Sequence, residues 1–263
     1  MMAPRRPLAL LVMASVLAGV LLTMCGAPGT VPDDAPVASP AAMPEPTAMP
    51  EPTAMPEPTA MPEPEAAVFT DRVGAEYTAV PAGDGVAAFR IGRTEVTNAQ
   101  YAQCVAAGAC TVPETFDGCN YSNAAYAEHP VACVTREQAR EYAAWAGGRL
   151  PTDTEWTRAC QGDDGRMYPW GEAAPDERLA NFAFRQDLGD GTTAVGSYPA
   201  GASPYGALDM AGNVWEWVGD GNFVVRGGAF SPNADSVMCG ARFENDGVGA
   251  NLSVGFRVVS PGP

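Results

Sequence analysis

Three stretches of the chain alternate polar and apolar positions at the three-to-four spacing of a helix, and each opens on the same punctuation. Thr97 with Gln100, Thr135 with Gln138 and Thr152 with Glu155 have the spacing of a capping box, in which side chain and backbone satisfy each other at a helix start. The first predicted helix runs to about Ala107 and meets Gly108. The second carries Ala139, Tyr142, Ala143 and Ala146 as an apolar stripe beside Arg136, Glu137, Arg140 and Glu141, and stops at Gly147 and Gly148. The third ends near Cys160, before Gly162. Branched and aromatic residues cluster at 88–92, 223–226, 237–243 and 254–259, which predicts short strands there. Between 161 and 222 the periodicity nearly vanishes, yet Tyr168, Trp170, Phe182, Phe184, Tyr198, Tyr205, Trp215 and Trp217 all fall in that interval. A disordered segment is poor in aromatics, so this reads as ordered, irregular backbone. Such backbone leaves peptide groups that no ladder satisfies, and bound cations or water are expected to take some of them.

The N-terminal quarter follows a different pattern. Arg5 and Arg6 precede an apolar run from Leu8 to Leu22, the layout of an export signal and short for a membrane-spanning helix. Cys25 stands where a bacterial lipoprotein carries its lipidated cysteine, with Leu22 three positions earlier; Met24 departs from the usual small residue, so ordinary cleavage near Ala27 stays open. Residues 26–68 hold 12 of the 25 prolines, seven acidic residues and no Lys or Arg, with the hexapeptide Met-Pro-Glu-Pro-Thr-Ala beginning at Met43, Met49 and Met55 and a variant at Met61. Alternate prolines block helix and sheet, and the 24 residues of the repeat tract would reach about 75 Å in polyproline form. The reading is therefore a signal over 1–25, a Pro/Glu-rich spacer over 26–68, and one folded head over 69–263. The expected location is the cell envelope, lipid-anchored in the periplasm or at the outer surface, or else secreted.

Charge and rare residues narrow the chemistry. Of the net −16, −11 belongs to residues 69–263, which disfavours nucleic acid and anionic bilayer faces as partners and leaves a lipid anchor as the membrane contact. The single histidine, His129, excludes multi-histidine zinc sites and the facial triads of non-haem iron enzymes. Apart from Cys25, six cysteines remain: Cys104, Cys110, Cys119, Cys133, Cys160 and Cys239. An even set in an exported chain reads as three disulfides. Fifteen connectivities are possible; nearness favours Cys104 with Cys110 and Cys119 with Cys133, leaving Cys160 for Cys239.

The elements Arg93-Thr-Glu-Val-Thr-Asn, His129-Pro-Val, Gly148-Arg-Leu-Pro-Thr-Asp-Thr-Glu-Trp156, Tyr168-Pro-Trp-Gly171, Tyr205-Gly-Ala-Leu-Asp-Met-Ala-Gly-Asn-Val-Trp-Glu-Trp217, Arg226-Gly-Gly228, Cys239-Gly-Ala-Arg242 and Val254-Gly-Phe-Arg257 occur in this order. Together, over about residues 75–260, they resemble the formylglycine-generating enzyme family, also called the sulfatase-modifying factor domain. The resemblance implies an α+β fold, an elaborated C-type lectin-like architecture with little regular structure and bound calcium. It also implies a calcium segment at Asp209, Gly212, Val214 and Glu216, with two carboxylates and two backbone carbonyls. A second set would be Asn181, the Phe182 carbonyl, Asp190 and the Thr192 carbonyl. Oxygen-only ligation suits calcium, and both sites would be structural.

The resemblance also marks a departure. Enzymes of this family carry two copper-binding cysteines shortly after the Gly-Gly element, which support oxidation of a substrate cysteine to formylglycine by O₂. Here the stretch from Ala229 to Met238 contains no cysteine, and Cys239 matches a structural cysteine whose usual helix partner is replaced by Ala143. Cys239 then needs another partner, which again points to Cys160. Copper(I) wants a pair of soft thiolates, so copper is not expected. The histidine-dependent iron branch of the family lacks its ligand set here. The sequence thus predicts an exported, tethered, non-catalytic binding or scaffold module, whose partner is a protein segment or cell-surface glycan. The rival reading is a formylglycine-generating oxidase acting on a sulfatase cysteine. Trp215 and Trp217 are expected in the core. Arg226, Arg242 and Arg257 are expected to serve buried carbonyls and acids, and His129 to be structural.

Overall fold

In the computed structural model, residues 68–182, 191–230, 234–244 and 249–260 are described. The signal, Cys25 and the spacer repeats lie outside these residues, as does Asp190. The head is α+β, with eight short strands in two sheets and three α-helices among the described residues. The first sheet has the order β1-β2-β3-β8, from β1 (Val68–Thr70), β2 (Glu76–Val80), β3 (Phe89–Gly92) and β8 (Val259–Ser260), all antiparallel. The second has the order β6-β5-β4-β7, from β4 (Trp215–Trp217), β5 (Val224–Arg226), β6 (Arg242–Glu244) and β7 (Val254–Gly255), with β4 and β7 parallel.

The helices α1 (Asn98–Ala106), α2 (Arg136–Ala146) and α3 (Asp153–Gln161) start where their threonines say they should. In each, the Thr hydroxyl accepts from the third helical amide and the side chain of that residue accepts from the threonine amide. Helix α2 ends as Gly147 turns left-handed at φ 90°, and the Gly148 amide donates to the Ala143 carbonyl at 2.8 Å; a side chain at Gly147 would strain that turn. Its buried stripe, Ala139, Tyr142 and Ala143, faces α1, whose Tyr101 stacks on Tyr142 at 5.5 Å while Phe256 meets both rings edge-on. Complete burial of these aromatics, each contributing about 2 kcal/mol by transfer alone, anchors the larger core. A second cluster gathers Trp156, Met210, Ile91 and Val224 around Cys160 and Cys239.

Several strand expectations change. The run 237–243 is not one strand: a 3-10 turn covers Ala234–Val237, and only β6 follows, because Cys239 and Gly240 bend the chain. The run 254–259 divides between the two sheets, since Phe256 and Arg257 are drawn into the core between β7 and β8. Strands β1, β2 and β4 carry no strong local signal and arise from pairing. Strand β1 begins at Val68, one residue before the boundary that composition suggests.

Candidate functional site

The turn from Leu208 to Glu216 is held by side chains rather than by a ladder. Asp209 and Asn213 adopt left-handed backbone, at φ 54° and 58°, and Gly212 at φ 84° passes so close to Asn181 that an added Cβ would meet its carbonyl oxygen at 2.3 Å. Strand β4 then carries Glu216 into the centre, where it is wholly buried. Its Oε2 accepts from Trp156 Nε1 at 2.7 Å and from Arg257 Nε at 2.6 Å, and its Oε1 accepts from Arg257 Nη2 at 2.7 Å. Arg257 is equally buried and donates further to the carbonyls of Gly92 and Leu208, both at 3.0 Å. This forked pairing uses the planar geometry that only arginine offers. Burial works against the Arg257 charge, but Glu216 outweighs it and holds the guanidinium above its ordinary range.

Asp209 Oδ2 accepts from the Gly196 amide at 2.6 Å, and beside it lies Glu95, fully buried, with neither carboxylate oxygen hydrogen-bonded among the described residues. Burial first, and then Asp209, push the Glu95 carboxyl well up, with Arg257 opposing. Asp209 is also raised by burial, against the pull of the Gly196 amide and Arg257. Three carboxylates thus surround one guanidinium. Orphaned carboxylate oxygens and surplus negative charge are what a hard cation relieves, so the oxygen content fits calcium. Glu216 fits it less well, because Arg257 already occupies both of its oxygens. Among the described residues, no group of three or more His, Cys, Asp or Glu is gathered in a metal-binding arrangement.

The second residue set meets the first at Asn213. Asn181 Nδ2 donates to the Gly191 carbonyl at 2.7 Å and to Asn213 Oδ1 at 3.2 Å, while the Asn213 amide donates to the Asn181 carbonyl at 2.8 Å. Asn213 Oδ1 also accepts from the Thr193 amide at 3.0 Å. Thr192 is buried, and its hydroxyl links Asn120 Nδ2 at 3.2 Å to His129 Nδ1 at 2.9 Å. Burial lowers the His129 pKa, and its ring packs edge-on against Tyr126 at 4.7 Å. Phe182 packs on a small cluster with Tyr168 and Ala211. Sequence reasoning assigned no role to Glu95 or Asn213. Nothing local marks Glu95 as buried; the signal appears only when 92–96 is laid beside 208–209 and 256–257.

The cysteines form Cys104–Cys110, Cys119–Cys133 and Cys160–Cys239, with Cα separations of 5.3, 5.9 and 5.6 Å. No thiol among these six is available to a soft metal. Trp217 is buried and donates to the Val134 carbonyl at 3.1 Å; Trp215 is half-buried against Phe243. Arg226 pairs with Asp153 and donates to the carbonyls of Gly240 and Ala241 at 3.1 and 3.0 Å. Arg242 is more exposed and pairs with Glu244 and Asp153. A cleft of about 560 Å³ is lined by Asp84, Asp153, Asp163 and Asp164 with Arg158 and Arg226.

Residues 66–261 match the family model of the sulfatase-modifying factor enzyme 1-like domain. The chain is 37% identical over 163 residues to hercynine oxygenase of Mycolicibacterium smegmatis, covering 50% of this chain and 37% of that protein. It is 46% identical over 101 residues to formylglycine-generating enzyme of Mycobacterium tuberculosis, covering 35% and 33%. It is 33% identical over 153 residues to the inactive C-alpha-formylglycine-generating enzyme 2 of Bos taurus, covering 51% and 50%. The matches thus span between a third and half of these relatives. Among solved structures, PvdO from Pseudomonas aeruginosa superposes with a TM-score of 0.60 at 21% identity, covering 76% of this chain and 99% of that one, and shares the fold. With the family model covering nearly the whole described head, this chain belongs to the sulfatase-modifying factor enzyme 1-like domain family.

Proposed function

We propose that the protein is an exported, membrane-tethered, non-catalytic binding or scaffold module built on this fold. The observation that carries the reading is the state of its sulfur. Cys239, the first cysteine after Gly228, is bonded to Cys160, and the other four head cysteines are bonded in pairs. A copper(I) oxidase needs two neighbouring thiolates, and this arrangement supplies none. His129, the sole histidine, is engaged with Thr192, which argues against histidine-ligated iron chemistry. A relative named as inactive is consistent with a family that includes non-catalytic members. The exported location rests on the basic and apolar start, Cys25, and disulfides suited to an oxidising compartment.

Calcium is structural in this reading, held within the two residue sets around Asp209 and Asn181. The partner in this reading is a protein segment or a cell-surface glycan. The rival reading, a formylglycine-generating oxidase, draws on the likeness to the mycobacterial enzyme. One experiment separates them. The full chain, expressed under oxidising conditions, is denatured and its thiols counted, its copper(I) affinity is measured, and a cysteine-containing sulfatase peptide is incubated with it in air. The module reading expects no head thiol, no tight copper and an unchanged peptide mass. Aldehyde formation on the peptide would overturn it.

A further inference from the structure

Strand β6 is an open edge of the second sheet. Its residues Arg242, Phe243 and Glu244 are all exposed, while those of β5 beside it are all buried. Among the described residues its backbone is paired on one side only, with β5. Phe243 is the most exposed of the large apolar side chains described, at 57%, and its ring leans on half-buried Trp215 at 6.1 Å. The other sheet edges are better covered. Arg149 bridges to Val259 at β8; β7 runs so close to Val131 that a Cβ on Gly255 would meet its carbonyl oxygen at 2.6 Å; at β1 the Arg90 guanidinium lies 3.8 Å over the Phe69 ring. An uncovered edge is a template for another strand. The order of charges along β6 selects the strand that fits. In an antiparallel ladder, opposite residues share a face, where unlike charges attract and like charges repel. Laying Arg242-Phe243-Glu244 antiparallel to a second copy of itself, centred on Phe243, sets Arg242 opposite the partner's Glu244 and Glu244 opposite the partner's Arg242. The two Phe243 rings then meet on the other face. Within one strand Arg242 Nη1 already pairs with Glu244 Oε1 at 2.8 Å, so both side chains lie on one face and exchange that contact for two across the twofold axis.

We propose that β6 is a self-docking edge, at which a second copy of this chain pairs and joins two four-stranded sheets into one of eight strands. The inference goes beyond the module reading and does not rest on it, since an oxidase would pair in the same way. A three-residue strand makes a small interface, so the association is expected to be weak in dilute solution and to fill at the local concentration of heads held on one surface.

The test is sedimentation equilibrium of the full chain in density-matched detergent, up to about 1 mM, for wild type, Glu244→Arg and the exchanged pair Arg242→Glu with Glu244→Arg. Wild type is expected to approach twice the monomer mass as concentration rises. Glu244→Arg places like charges opposite one another at both positions and is expected to weaken pairing by about tenfold or more. The exchanged pair restores opposite charges and is expected to recover the wild-type association; Asp153 keeps Arg226 as its partner in that variant. Thermal melts run beside each variant identify the folded ones. A second measurement is independent of the charge variants: Phe243→Cys is expected to form an interchain disulfide, seen as a dimer on non-reducing electrophoresis, and Val68→Cys, exposed on the other sheet, is not. Wild type that stays at monomer mass throughout, folded Glu244→Arg that pairs as well as wild type, a folded exchanged pair that stays as weak as the single substitution, or equal cross-linking at positions 243 and 68 would overturn the proposal. The thiol, copper and peptide assays decide the non-catalytic reading separately.

Discussion

The region from Thr97 to Gln161 and the region from Gly162 to Phe230 are ordered by different means. In the first, each helix is specified within a few residues: a threonine, a Gln or Glu three positions on, an apolar stripe and, for α2, a terminal glycine. In the second, the described backbone has few ladder bonds and is tied by contacts far apart in sequence. Arg257 reaches back to Gly92 and Leu208, Trp156 to Glu216, and Asn213 to Asn181 and Thr193. Local codes tolerate local damage. A backbone held by a few buried polar hubs concentrates its stability in them, and loss of one hub exposes the desolvation cost of everything it served.

That contrast can be broken most severely at Arg257. Replacing it with Met leaves Glu216 buried beside other acids and removes donors from the Gly92 and Leu208 carbonyls; the expected loss is about 3–5 kcal/mol, measured by chemical denaturation. Next in size is the staple from α3 to the chain after Gly228. The paired substitution of Cys160 and Cys239 by Ala is expected to cost about 2–5 kcal/mol, read from the shift in denaturation midpoint. In the helical region, Thr152→Ala removes one cap and should cost only about 1 kcal/mol by the same measurement. Were Thr152→Ala as damaging as Arg257→Met, the proposed division between local and hub-held order would fail.

The smallest effect is a pH dependence at the α3 start. Burial opposes the Glu155 charge, but the paired bonds from Arg149 at 2.6 Å and the Thr152 amide hold its carboxyl below the ordinary carboxylate range. A depressed folded-state value means that its contribution is full above the unfolded carboxylate pKa and is lost as pH falls through the lowered one. Glu155→Gln should therefore flatten the acid limb of the stability profile slightly, by well under about 1 kcal/mol given the exposed Arg149.

The same division explains what could be read in advance. All three helices and their caps were legible, as were β3 and β5 to within a residue, because short-range chemistry decides them. The structure pairs Cys104 with Cys110, Cys119 with Cys133 and Cys160 with Cys239, the arrangement that nearness in sequence favours. Strand β4 escaped notice because Trp215 and Trp217 have unlike surroundings, one half-buried and one enclosed, and its partners β5 and β7 lie elsewhere in the chain. The run 254–259 looked like one strand because every side chain in it is branched, aromatic or small, apart from Arg257, whose burial depends on Glu216 from another sheet strand. At the candidate site, Asp209 and Glu216 were marked by the resemblance to the family's calcium segment. The role of Glu95 depends wholly on which neighbours the fold delivers.

The register of the first sheet has one more consequence. Val68 pairs with Thr78, Thr78 with Ile91, and Ile91 with Val259, so the opening and closing strands of the head lie on one line across three strand spacings, about 14 Å. A short peptide joining Ser260 to Val68 would bridge that gap, and the chain could be opened instead at the exposed turn near Gly85. Such a circular permutant would carry its fusion points on the opposite side of the polypeptide's wiring while keeping every pairing described above, making the head a scaffold that can be re-threaded at will.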